Sequence, residues 1–231
     1  MSENPLQPGS SQPEGAPSAV SGSRGEDPGL LMPAATRSHG DSDTDALDRV
    51  DMARLGAGVD RALDDLMERH AGRVFNFLVR LLSNVEDAND LAQETFARVY
   101  RAKDRFNPDR RFTSWLYTIA GNLARNHFRW RSRHPETALD EGLPVSAGGG
   151  GEPVTPAAAL LREERAAAVR AAVDGLPLPL REVVVLCEWE GLSVPEAAGV
   201  LDTTPKAIET KLYRARRQLR DILNPWMDSE A

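Results

Sequence analysis

Ile208, Leu212, Ala215, Leu219 and Ile222 recur at spacings of four, three, four and three. That period gathers them on one stripe of an α-helix, whereas a strand would scatter them over both faces. The same period runs through most of the chain. Val59, Leu63, Leu66, Val74, Phe77, Leu78, Leu81 and Leu82 predict one amphipathic helix with a break near Gly72. Val85, Ala88, Leu91, Ala92, Phe96 and Val99 predict a second, ending near Lys103, and Phe112, Leu116, Ile119, Leu123 and His127 a third. Periodicity resumes at Ala157, through Leu160, Leu161, Val169 and Val173, and breaks at Leu176-Pro177-Leu178-Pro179. Three further helices are expected at 181–189, 194–201 and 205–223. No convincing alternating strand pattern occurs, so the expected fold is all-α.

The stretches between these helices set the organisation. The first 40 residues are rich in Ser, Pro, Gly and Glu and carry too little apolar surface to offset ordering entropy. Residues 1–54 are therefore expected to be a disordered N-terminal extension and 55–133 a first helical domain. Residues 134–156, with Gly148 to Gly151, several prolines and no Lys or Arg, make a flexible acidic linker. A second helical domain is expected over 157–224, with a tail at 225–231. Such a linker spans roughly 25–30 Å on average and about 80 Å at most, so two domains could occupy separate places on one partner.

Charge is uneven. The net charge is −7, yet residues 98–133 carry ten Lys/Arg against Asp104 and Asp109, and residues 205–220 carry six against Glu209. Residues 1–70 and 134–204 are acidic. Two basic patches in an acidic protein point to nucleic acid. No run of about 18 apolar residues is present, and the N-terminus lacks a secretory apolar core, so a cytoplasmic location without membrane insertion is expected. Cys187 is the only cysteine, and His39, His70, His127 and His134 lack metal-ligand spacing, so neither metal nor cofactor is expected.

The second patch fits a helix-turn-helix: a short helix at 195–201, an Asp202-Thr203-Thr204 turn, then a helix from Pro205. Thr204 suits the cap and Pro205 the first helical position. Counting 100° per residue from Ile208 places Lys206, Thr210, Tyr213 and Arg217 on the outward face, flanked by Glu209, Arg214 and Arg216. The first turns of that face would read base edges in a major groove, with Arg214, Arg216, Arg217 and Arg220 on phosphates.

On the third helix, Tyr117, Gly121, Arg125 and Phe128 fall outward with Ser114. Exposed aromatics among arginines suit unstacked bases, each stack contributing roughly 1–3 kcal/mol. Trp115 and Trp130 read instead as packing residues. The second helix turns Glu86, Asp90, Gln93 and Glu94 outward beside the small Ala97, which is a solvated acidic face or a partner surface.

The runs from Val85 to Phe96 (VEDANDLAQETF) and from Phe112 to Ala124 (FTSWLYTIAGNLA) resemble region 2 of the extracytoplasmic-function sigma factors of the sigma-70 family. The second half resembles region 4 through Leu176-Pro177, the run from Arg181 to Val184, the run from Glu190 to Ser193, and that from Lys206 to Arg216. No region 3 domain fits between the halves. The resemblance implies a non-enzymatic subunit that directs core RNA polymerase to promoters, in response to a stress or envelope signal. It makes Asp90, Gln93 and Glu94 candidate polymerase contacts. It adds Asp109, Asn122, Asn126 and Arg129 to Tyr117, Arg125 and Phe128 as candidates for capturing the single-stranded minus-10 element. The helix from Pro205 becomes the reader of the duplex minus-35 element, through Thr204, Lys206, Glu209, Thr210, Tyr213, Arg214 and Arg217. An anti-sigma factor is a further expected partner. Asp202 departs from the family, standing where glycine is common, although Asp tolerates left-handed backbone.

Two other readings compete. A stand-alone helix-turn-helix regulator accounts for the second half but leaves the first idle. A nuclease would need a carboxylate and histidine constellation that the sequence lacks.

Overall fold

The computed structural model describes residues 40–134 and 156–227. Among them the chain forms eight α-helices: α1 (Gly40–Gly56), α2 (Arg61–Leu82), α3 (Val85–Arg101), α4 (Phe112–Arg133), α5 (Pro156–Asp174), α6 (Leu178–Val184), α7 (Val194–Val200) and α8 (Pro205–Met227). A 3₁₀ turn, Lys103–Arg105, precedes the loop before α4, and one turn of π-helix, Val185–Trp189, extends α6.

The first half is a bundle of α1 to α4. Helix α2 buries Leu66, His70, Val74, Phe77, Leu78 and Leu81 along a single face. The break expected near Gly72 does not occur, because Gly72 lies on the exposed side, where a missing side chain leaves the packed stripe intact. The helix ends at Ser83, which adopts a left-handed φ of 54°. Asn84 then caps α3 by accepting the Asp87 backbone N–H at 2.9 Å.

Helix α1 corrects the expected disorder of 1–54. Residues 40–54 belong to a helix that packs on α2 and α4, while residues 1–39 lie outside the described residues. It escaped the sequence reading because its buried stripe, Asp48, Asp51, Met52 and Leu55, is half acidic. Both carboxylates are matched from α2. His70 Nε2 sits 2.8 and 2.9 Å from the two oxygens of Asp48, and Arg69 donates to Asp48 at 3.1 Å and to Asp51 at 2.6 Å. A buried charge is tolerated only with such partners.

The second half is α5 to α8. Helices α5, α6 and α8 share a core of Ala172, Val173, Leu176, Val184, Ala215, Leu219 and Leu223. Ile222, expected in that stripe, is instead 48% exposed, and Leu223 takes the inner place. Helix α8 also runs past the expected end, to Met227. The two halves are not apart: α7 packs on α4, and the π turn packs on α2. Phe77, Leu81 and Leu116 of the first half share one apolar cluster with Val183, Leu186 and Ile208 of the second.

Docking of α1 is testable. Leu55 is fully buried, so Leu55→Ala should destabilise the chain by about 2–4 kcal/mol in urea unfolding. An unchanged midpoint would show that α1 contributes nothing to the bundle.

Candidate nucleic-acid interface

Three faces carry the residues singled out above. On α3, Asp90 and Gln93 are exposed. Glu94 is partly covered by its own helix: Arg98 and Arg101 each donate to its carboxylate at 2.9 Å. The Arg98 hydrogen bond is the main influence holding that carboxyl below its ordinary value.

On α8 the outward face is open. Thr204 caps the helix, its Oγ1 accepting the Ala207 N–H at 3.2 Å. Asp202 takes a φ of 49°, so the turn forms with aspartate in the left-handed position. The short helix α7 is fixed by a capping box between Ser193 and Glu196. Lys206, Glu209, Thr210, Tyr213, Arg214 and Arg217 are all exposed, Tyr213 to 69%. Lys206 pairs with Glu209 at 3.3 Å. Arg216 is held inward by Glu188 of the π turn, at 2.7 and 3.2 Å, so it positions α8 against its neighbour.

The α4 face is divided. Asp109 is exposed in the preceding loop, where its N–H donates to the Asn107 side chain at 2.9 Å. Asn122 accepts from Arg125 at 2.7 Å, and Asn126 accepts from Arg129 at 2.5 Å; Asn122, Asn126 and Arg129 are exposed. Tyr117, expected outward, is buried at 1% exposure and donates its hydroxyl to Glu190. Gly121 is buried as well, and Phe128 is half-buried against the core. The cause is one layer of structure: the second half covers that side of α4. Trp130 errs in the opposite direction. It lies in line with half-buried Ile119, yet the last turn of α4 outruns the bundle, leaving the indole 47% exposed and stacked on His134 at 4.9 Å.

The covering layer is held by a polar seam that the sequence did not signal. Glu190 follows the π turn, where its N–H reaches back to the Val185 carbonyl at 3.0 Å, and Gly191 then turns left-handed with a φ of 70°. This aims the carboxylate into the first half, where Tyr117 donates to it, Arg80 lies at 3.3 Å and Arg73 at 3.8 Å. Arg125 donates to Glu182 at 2.7 Å, and Arg181 to the Leu81 carbonyl at 2.7 Å. Arg111 bridges Asp45 of α1 at 2.6 Å and Glu196 of α7 at 3.0 Å. Burial is the largest influence on Glu182, Glu190 and Tyr117, and it pushes all three above their ordinary values. Among the described residues, no group of His, Cys, Asp and Glu side chains is placed to hold a metal.

Residues 66–134 match the Sigma-70 region 2 family and residues 166–219 the Sigma-70 region 4 family. The RNA polymerase sigma-H factor of Pseudomonas aeruginosa is 34% identical over 74% of this chain and 91% of its own length. The ECF RNA polymerase sigma factor SigE of Mycolicibacterium smegmatis is 38% identical over 69% of this chain and 61% of its own length. The structure of CnrH in complex with the cytosolic domain of CnrY superposes with a TM-score of 0.57 at 31% identity, covering 78% of this chain and 98% of that one. Two helical domains with these faces define a sigma-70 type initiation factor. The chain belongs to the extracytoplasmic-function subfamily of sigma factors, which bind core RNA polymerase and promoter DNA and are not enzymes.

Burial also pushes the Cys187 thiol up to about 11. Only the thiolate is alkylated, so at pH 8 labelling of the native chain should run about 100-fold slower than labelling of the urea-unfolded chain. Equal rates would show that the π turn is open.

Proposed function

We propose that three faces divide the work of this sigma factor. Asp90, Gln93 and Glu94 on α3 dock on core RNA polymerase. Asp109, Asn122, Arg125, Asn126, Phe128 and Arg129 capture the unstacked minus-10 strand, and Trp130 offers a further exposed ring for stacking. Tyr117 joins them only when the second half moves off α4. Lys206, Glu209, Thr210, Tyr213, Arg214 and Arg217 read the minus-35 duplex, with Thr204 holding the first turn of α8 in place.

The observation that carries this reading is α8 itself: a capped helix behind a left-handed Asp202 turn, presenting an unobstructed basic face. Residues 40–133 and 157–224 act as the two functional domains, α1 being an integral helix of the first. No described helix is long and apolar enough to cross a membrane, consistent with action in the cytoplasm. An anti-sigma partner that releases this chain on a stress or envelope signal fits the same reading.

Gel filtration with sigma-free bacterial core polymerase tests it. The full chain should co-elute, and the Asp90→Lys, Glu94→Lys double variant should not. Failure of the wild type to co-elute would overturn the reading. On duplex promoter DNA, Arg217→Ala should weaken binding evenly across sequences and lower the salt slope by about 1. A change confined to one sequence would instead make Arg217 a base reader.

A further inference from the structure

We propose that α1 sets the geometry of the loop before α4, with Asp45 acting through Arg111, and Asp48 through His70 and Phe112, as positioning residues for the base accepted beside Asp109. This rests on the assignment of that loop to capture of the minus-10 strand.

The first support is how the loop is built. Residues Asn107 to Arg110 form a tight turn in which Pro108 fixes the backbone after Asn107. The Asp109 N–H donates to the Asn107 side chain at 2.9 Å, and the Arg110 N–H to the Asn107 carbonyl at 3.0 Å. These bonds stiffen the turn within itself but do not tie it to the bundle, and all four residues are exposed. Where Asp109 points is therefore decided at the two ends of the turn, Phe106 and Arg111.

The second support is that α1 reaches both ends. It packs on the 3₁₀ turn that leads into Phe106, and its Asp45 accepts from Arg111 Nε at 2.6 Å. Arg111 stands at the cap position of α4 yet gives the helix no side-chain cap; its guanidinium is turned to α1 and α7 instead. One residue further on, Phe112 packs on His70 with ring centres 5.3 Å apart, and His70 Nε2 meets both oxygens of Asp48 at 2.8 and 2.9 Å. Phe106 closes the set against Phe112 at 6.0 Å and Trp115 at 5.3 Å. Two lines from α1 thus converge on residues 111 and 112, the root of the turn.

The third support is energetic. Asp45 keeps only 14% of its side-chain surface in water, and while Oδ2 meets Arg111, Oδ1 is buried with no hydrogen-bond partner among the described residues. A half-satisfied carboxylate is a poor stabiliser, because the water lost by the unmet oxygen offsets the attraction of the pair. What the pair supplies is a fixed place for Arg111.

The test uses holoenzyme, the full chain mixed with sigma-free core polymerase, and a pool of single-stranded DNA of random sequence. Sequencing the bound fraction gives the base preference at each position, and titration of the labelled pool gives the overall affinity. Asp109→Ala marks the position read beside the turn by flattening the preference there. Asp45→Asn should lower the preference at that same position by about fivefold or more, the lower range of what one base contact discriminates, with overall affinity changed less than twofold. Arg111→Gln should match it, and the double variant should lose no more than either single change, since both remove one link. Asp45→Glu, which keeps the carboxylate, should retain part of the preference. Glu196→Gln removes the other partner of Arg111 and should leave the profile as in wild type. An even loss of affinity with an unchanged profile is what a merely structural role gives, and it overturns the inference, as does an additive loss in the double variant. Should Asp45→Asn fail to co-elute with polymerase, Arg111→Gln decides alone, and an unchanged profile in that variant is again fatal. If Asp109→Ala flattens one position that Asp45→Asn and Arg111→Gln leave intact, only this inference falls. If Asp109→Ala leaves every preference intact, the assignment of the loop falls and takes the inference with it.

Discussion

Glu190 is the residue on which the arrangement of the two halves depends. A carboxylate with 4% of its side chain in water is costly unless every lone pair is met, and all of its side-chain partners, Tyr117, Arg73 and Arg80, belong to the other half. The local fold commits it to that position. The π turn delays the end of α6 by one residue, and Gly191 turns the chain away behind it, so the carboxylate cannot swing back to solvent without undoing the helix end. Once Glu190 is seated, Arg125 falls opposite Glu182 and Arg111 opposite Glu196, and the apolar contacts of Leu186 and Ile208 follow in register.

The same logic appears at the other end of the bundle. Helix α1 is anchored through Asp48 and Asp51, acids that would be a liability in a core were Arg69 and His70 not aligned on α2 to receive them. Asp45 extends this anchorage to Arg111, whose other side holds α7. One guanidinium thus couples the N-terminal helix, the loop before α4 and the helix-turn-helix. Electrostatic pairs at these sites give register more than net stability, because each pair's attraction is set against the water both partners lose.

The sequence made the helices legible because apolar spacing depends on nearest layers, and every helix has one. It located α2, α3, α4 and the helix-turn-helix, and the exposed face of α8 holds the residues assigned to it apart from Arg216, which Glu188 draws inward. Its errors share a cause. Tyr117 points away from Ile119 and would be outward on an isolated bundle; the second half supplies the layer that buries it. Trp130 continues the inner stripe of α4 past the point where the bundle ends. Ile222 does the same at the far end of α8. Helix α1 was missed because its inner stripe is written in aspartate, and periodicity of apolar residues is blind to a face buried by ion pairing. Helical phase reports direction around an axis; what stands in that direction is a property of the tertiary arrangement.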